Sequence, residues 1–212
     1  FLDNPEILKW LQALTGSSDP YTVFMVFELG FTAFITATCA IVFARRLGIE
    51  EQSGRVEPLL ATATSHGSLF GAYVLIATLA TIALQILTGV GFWLANGLQT
   101  GIFGSLTQAL SITLVYLPAI WVLMGFTFTL LAFAPTLTSL GWVALGACLL
   151  IAELGELFHW PAAVQNLSPF SHVPRVPVDP MAWTPELLLT GLAAVLIGAA
   201  FVRFQRRDLA TP

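Results

Sequence analysis

The stretch from Gly67 to Ala152 contains no Asp, Glu, Lys, Arg or His, and this absence constrains the fold more than any other feature of the sequence. Across the chain 57% of residues are hydrophobic and only 9% are charged, against about 25% charged residues in an ordinary soluble domain. Such a chain would expose large apolar patches to water, whereas in a bilayer the same side chains face lipid. The composition predicts an all-α integral membrane protein, and the net charge of −4 gives no support for nucleic-acid binding.

The apolar runs predict a bundle of about five transmembrane helices, because a span needs about 20 residues at a rise of about 1.5 Å each. The predicted membrane segments are one helix in 21–44, three helices in 68–159 and a last helix in 186–203. Arg45 and Arg46 are expected to end the first helix, and Pro118 is expected to kink the third. The fourth run, from about Leu140 to Ala152, is short for a span unless it extends further.

The segments between these runs are polar or rich in proline. They are predicted to be an extracellular amphipathic connector (1–20), a cytosolic segment (45–67), a proline-rich extracellular loop (160–185) and a cytosolic tail (204–212). This orientation follows from the cations that fall on one side, which are Arg45, Arg46, Arg55, Arg203, Arg206 and Arg207. Because cytoplasmic loops carry the excess of Lys and Arg, that side is predicted to face the cytoplasm. An outside N-terminus without a visible signal peptide leads us to expect at least one further helix upstream.

The densest cluster of charge lies in residues 50–64, at a junction between two apolar runs. A short helix can open at Ser53 or Gly54 and lie flat at the membrane surface, with Leu59 and Leu60 on one side and the charges on the other. We interpret this segment as the place where a soluble partner docks. The alternative is a solvated loop without a partner.

Three patches of the sequence resemble one family of transporters. Residues 50–65 read EEQSGRVEPLLATATS and are similar to the Glu…Gly-(Arg/Thr)-x-Glu-x-Leu-Leu cytosolic loop of type-2 ABC exporter permeases. Residues 167–174, LSPFSHVP, resemble the loop before the last helix in the actinobacterial branch of polyketide-antibiotic or multidrug exporters, and residues 204–209, FQRRDL, resemble its ending. The patches occur in order across essentially the whole chain, so the chain resembles the C-terminal half of such a permease.

The resemblance implies that the charged segment is a coupling helix, seated in a groove of a partner ATP-binding subunit that is itself expected to be a dimer. Its docking residues would be Glu50, Glu51, Gly54, Arg55, Glu57, Leu59 and Leu60. The implied function is ATP-driven export of hydrophobic or amphipathic compounds such as antibiotics or drugs. The other expected partners are membrane lipid and either an N-terminal half of the same permease or a second permease chain. ATP and Mg are expected in the ATP-binding subunit, because this sequence lacks a Gly-x-x-x-x-Gly-Lys phosphate loop.

One carboxylate lies inside a predicted span. Glu28 falls one to two turns into the first helix, where an ionised group costs about 2.5–3.5 kcal/mol at the helix centre and less near the interface. It could line a translocation path, or it could reach the interface or carry a proton without a role in transport.

Two other classes of function are compatible with an apolar helical chain. An ATP-independent secondary transporter or channel would need more paired ionisable groups within the spans. A membrane enzyme could use Glu153, Glu156 and His159 at the outer end of the fourth helix, but no second His or Cys lies at a suitable spacing. We therefore expect no metal site and no catalytic residues, and interpret these three residues as the polar end of a helix.

Overall fold

The computed structural model describes residues 20–56, 65–101, 103–155, 157–176 and 178–206, with side chains described from Glu28 onward. No strand occurs among these residues. The helices are α1 (Pro20–Gln52), α2 (His66–Thr100), α3 (Leu106–Leu114), α4 (Leu117–Phe133), α5 (Leu140–Leu154), α6 (Ala162–Gln165) and α7 (Trp183–Gln205). Short 3₁₀ turns lie at Pro135–Leu137 and Pro169–His172. The predicted all-α fold is confirmed.

Four stretches of the described chain are long and apolar enough to cross a membrane. They are Glu28–Gln52, His66–Thr100, Leu106–Phe133 and Trp183–Gln205, and α5 is a shorter apolar helix. With 35 residues α2 is about 52 Å long at about 1.5 Å per residue, which exceeds a hydrocarbon core of about 30 Å. The predicted bundle of about five helices is confirmed, and its longest members extend beyond the hydrocarbon.

The first helix does not end at Arg45 and Arg46, as the sequence had indicated, but continues to Gln52. Charged side chains mark where a helix leaves the hydrocarbon, yet they are good helix formers in water and do not break the backbone hydrogen bonds. The boundary predicted at residue 45 therefore falls inside α1. The last helix likewise begins at Trp183, ahead of the predicted residue 186.

At the predicted kink near Pro118, α3 ends at Leu114 and α4 begins at Leu117, with a two-residue turn between them. Proline has no N–H to donate within the helix, so Pro118 supplies no donor to the Leu114 carbonyl four residues earlier, and the adjacent backbone leaves the regular helical pattern. The Thr113 carbonyl accepts from the Tyr116 N–H at 3.2 Å and from Gln85 Nε2 of α2 at 2.9 Å. Gln85 Oε1 accepts from Thr36 Oγ1 of α1 at 3.2 Å. One buried amide thus links α1, α2 and the break between α3 and α4.

Helix α4 lies at the centre of the bundle, and its buried residues occur on all sides. A helix that is apolar all round needs neighbours on every face. On the α7 side, Gly125 allows close approach, and the Thr129 hydroxyl donates to the Leu196 carbonyl at 3.1 Å. On the α1 side there is a stripe of fully buried small residues, which are Ala33, Ala37, Ala40 and Ala44. Small residues let helix backbones approach closely within a membrane.

The two ends of the bundle differ in charge. A Cβ at Gly67 would collide with the Gln205 side chain, so the start of α2 lies beside the end of α7. The Arg45 guanidinium lies over the Trp142 ring and the Arg203 guanidinium over Phe133, each 6.0 Å from the ring centroid. We call this side the basic end, and its arginines among the described residues are Arg45, Arg46, Arg55, Arg203 and Arg206.

The proline-rich segment folds onto the opposite end of the bundle. The Phe170 ring stacks on Phe34 of α1 with ring centroids 4.3 Å apart, and Val173 is buried. Val176 packs against the cluster formed by Leu29 and Ile112. The segment therefore covers the ends of α1 and α3 instead of extending away from the bundle.

Candidate functional site

The charged end of α1 carries the predicted docking residues and begins with an ion pair. Arg46 Nε donates to Glu50 Oε1 at 3.1 Å, one helical turn along the chain. An exposed i, i+4 pair of this kind stabilises a helix by about 0.3–0.5 kcal/mol. Its main effect is to fix the direction of both side chains at the surface of the basic end.

Gly54 ends the helix in a Schellman motif. The Arg55 N–H donates to the Glu50 carbonyl and the Gly54 N–H donates to the Glu51 carbonyl, both at 3.1 Å. Gly54 has a φ of 69°, which is left-handed and costs a residue with a Cβ about 1–2 kcal/mol. The glycine of the predicted docking motif therefore has a structural function here, as the residue that stops α1.

After Gly54 the chain turns back towards the bundle. Val56 is 2% exposed and belongs to the main core, whereas Arg55 remains exposed and donates to Ser53 Oγ at 3.4 Å. The structure thus brings Glu50, Glu51, Gly54 and Arg55 together at one turn. The other predicted docking residues, Glu57, Leu59 and Leu60, lie outside the described residues.

The carboxylate predicted to line a path occupies a different place. Glu28 is exposed on α1, at the end of the bundle opposite the arginines, and precedes Leu29, which is buried against Ile112. It faces outward from this half of the bundle. Its role in transport stays a prediction.

The residues considered for an enzyme are not assembled into a site in the part of the chain that the structure describes. Glu153 lies in the last turn of α5 and is partly buried, whereas His159 is exposed with a φ of 50°. Glu156 is not among the described residues. Within the described ranges no group of three or more His, Cys, Asp or Glu side chains could hold a metal ion.

Sequence reasoning missed Glu186 as a buried group. The last helix was expected to begin at this residue, at the membrane interface, where a carboxylate can be exposed to water. The residue is 5% exposed, in the first turn of α7. Both of its carboxylate oxygens are buried without a hydrogen-bond partner among the described residues. A buried carboxyl without a partner opposes folding, and in a membrane protein such groups indicate function.

A mainly apolar cavity of about 290 Å³ lies between the proline-rich segment, α4 and α7, and Glu186 is not among its lining residues. Leu188, Leu189 and Leu192 of α7 line one side, Val122 of α4 contributes another, and His172 stands at the polar side. The His172 ring nitrogen Nε2 lies 3.0 Å from the Asn166 carbonyl oxygen. The cavity has the size and lining of a site for a small apolar group.

These features define an all-α membrane protein that crosses the bilayer several times, with one arginine-rich end and a folded cover at the other. The chain belongs to the family described as "Multidrug efflux system permease Rv1217c, C-terminal domain", which matches residues 1–205. It is also similar to the multidrug efflux system permease protein Rv1217c of Mycobacterium tuberculosis (strain ATCC 25618 / H37Rv), at 29% identity over 208 residues. The match covers 98% of this chain and 38% of that relative.

Membership of this family makes the chain a membrane part of a transporter. The predicted resemblance to a permease of this type is confirmed. The chain spans well under half the length of the relative.

Proposed function

We propose that the chain is the second half of the membrane domain of an ATP-driven ABC exporter. In this proposal the charged end of α1 docks on an ATP-binding subunit, and the bundle moves a hydrophobic or amphipathic compound out of the cell. The observation that carries the proposal is the continuation of α1 beyond Arg45 and Arg46 as one helix that ends in Glu50, Glu51 and the turn at Gly54.

The continuity of α1 supports a coupling role because a helix transmits displacement along its axis. The same helix that carries Glu50 at its exposed end carries Thr36 in the bundle, hydrogen-bonded to Gln85. Motion imposed at the docking turn would therefore reach the buried amide and the break between α3 and α4. A loop in place of the last turns of α1 would absorb much of that motion.

The distribution of cations supports an orientation with the docking turn in the cytoplasm. Among the described residues five arginines lie at the basic end, and Arg175 lies in the proline-rich segment at the other. The positive-inside rule then places Glu50 and the end of α7 on the cytoplasmic side, where ATP is available. The proline-rich segment and Glu28 would face outward.

The cargo and the other partners follow from the relative and from the surface of the bundle. The relative is named as a multidrug efflux permease, and this chain covers 38% of it. We infer an N-terminal half, or a second permease chain, beside the exposed apolar faces of this one. Glu28 would then line a path between the halves, with room for a compound that carries both apolar and polar groups.

The test uses the full-length permease purified with its ATP-binding subunit and reconstituted in vesicles. The double variant Glu57→Lys with Leu60→Asp should keep membrane insertion but lose most drug-stimulated ATPase activity, because it places a reversed charge and a buried acid at the docking surface. Asp179→Lys is the matched control, since it reverses an exposed acid on the opposite end of the bundle. Its ATPase activity should equal that of the wild type.

Normal stimulation in the double variant would refute the docking role. Efflux that continues without ATP, driven only by an ion gradient, would instead favour a secondary transporter. Failure of the full-length permease to associate with any ATP-binding subunit would count against the exporter class itself.

A further inference from the structure

A surface seam between α1 and α5 runs up to the basic end. The helices are in van der Waals contact, since a Cβ at Gly141 of α5 would lie 3.5 Å from Ile41 Cγ2 of α1, although its nearest neighbour is Thr127 of α4. The α1–α5 seam is formed by Val42, Arg45, Ile49, Leu140, Trp142 and Val143. Its four aliphatic members are all exposed, up to 63% for Val143. Exposed aliphatic side chains of this kind face lipid tails when the helices are in a bilayer.

Arg45 stands in the middle of this seam, on the same side of α1 as Val42 and Ile49, which are three positions before it and four after it. Its guanidinium lies over the Trp142 ring, which holds the group at a fixed place between the helices. Arg45 Nε is buried and has no hydrogen-bond partner among the described residues. A cation that is partly removed from water in this way needs a counter-charge.

Arg46, the next residue, has its charge compensated by a carboxylate of the same helix. Its Nε donates to the Glu50 carboxylate at 3.1 Å, and the side chain is 65% exposed. The two neighbouring arginines therefore differ in whether a carboxylate pairs with them. Arg46 has an anionic partner within α1, whereas Arg45 has none among the described residues.

We propose that Arg45 and Trp142 bind the phosphate headgroup of an anionic phospholipid. The acyl chains lie along Val42 and Val143 towards the bilayer centre, and the terminal guanidinium nitrogens donate to phosphate oxygens at the headgroup level. Trp142 contributes its ring to the interface, where indole groups are favoured. The α1–α5 seam is in this way an annular lipid site with a preference for negative charge, because basic pockets between membrane helices select such lipids.

The site is tested on the full-length permease complex in detergent, by native mass spectrometry during titration with dioleoyl-phosphatidylglycerol or dioleoyl-phosphatidylcholine. We expect the wild type to bind the anionic lipid at least about fivefold more tightly, which corresponds to one arginine near an anionic headgroup. Arg45→Gln should abolish this preference, and Arg45→Lys should retain part of it. Arg46→Gln is the matched control, with the same change of charge one residue away, and should bind as the wild type does.

Three results would overturn the proposal. Equal binding of the two lipids by the wild type would remove the charge preference. If Arg46→Gln lost the preference for anionic lipid as fully as Arg45→Gln, the preference would come from the general surface potential and not from a site at Arg45. Displacement of the lipid by millimolar glycerol 3-phosphate would show a site for free phosphate in place of a lipid. Trp142→Phe keeps an aromatic ring beneath Arg45 and should preserve the preference if Arg45→Gln fails to fold.

Discussion

At the scale of single residues, Glu186 is the least expected group in the bundle. Its carboxylate oxygens are buried in the first turn of α7 without a partner among the described side chains, and this arrangement lowers stability. A residue that opposes folding at such a place is expected to serve transport, where a charge or a proton is needed for part of the cycle.

Replacing Glu186 with Leu should therefore raise the free energy of unfolding by about 1–3 kcal/mol, since an unsatisfied buried polar group is removed without loss of volume. Thermal unfolding of the purified permease measures the change. Glu186→Gln keeps the shape and the hydrogen-bonding capacity but removes the charge, so its free energy of unfolding should rise less than that of Glu186→Leu. Lower stability in Glu186→Leu would show that the carboxyl has a partner that balances its burial.

At the scale of helices, the break between α3 and α4 depends on a side chain from another helix. Gln85 is fully buried and donates to the Thr113 carbonyl while accepting from Thr36. The amide gives the Thr113 carbonyl, which lies beside the break, a second donor in an apolar environment and ties it to α1 and α2. The break and the amide belong to one structural unit.

The variant Gln85→Leu should destabilise the bundle by about 1–2 kcal/mol, because the Thr113 carbonyl and the Thr36 hydroxyl both lose a partner. Gln99→Leu is the control, since it makes the same change on the same helix at an exposed position. Unfolding temperatures of both variants in one detergent give the comparison. A loss of the same size in the control would assign the effect to hydrophobicity and not to the amide.

The helices and the break could be predicted from the sequence because apolar length and proline are local signals. The end of α1 could not, since Arg45 and Arg46 report where hydrocarbon stops, whereas the stop of the helix depends on the backbone conformation of Gly54. Gln85 and Glu186 were missed for another reason. Burial of a polar side chain depends on which helix faces it, and a single helix does not contain that information.

At the scale of the whole molecule, the bundle has opposite chemical character at its two ends. Ser53 lies exposed beside the docking turn, and Ser171 lies exposed in the proline-rich segment. With the proposed orientation, these residues are on opposite sides of the membrane. The location of these two residues on opposite sides of the membrane can be tested without any knowledge of the cargo.

In a permease whose own cysteines are replaced, a membrane-impermeant maleimide added to intact cells should label Ser171→Cys but not Ser53→Cys. Permeabilised cells should show labelling at both positions. The reverse pattern in intact cells would place the docking turn outside and would exclude coupling to a cytosolic ATP-binding subunit.

The alanine stripe of α1 has a mechanical consequence. Ala37 lies near the middle of the stripe, about 20 Å from Glu50 and about 14 Å from Glu28 along the helix axis at about 1.5 Å per residue. With this buried stripe as its fulcrum, α1 would act as a lever. A tilt that draws the Glu50 arm inward by about 3 Å swings the Glu28 arm outward by about 2 Å, from the ratio of the two lengths. A single rigid rotation of α1 would then narrow the bundle at the Glu50 end while it widens the bundle at the Glu28 end.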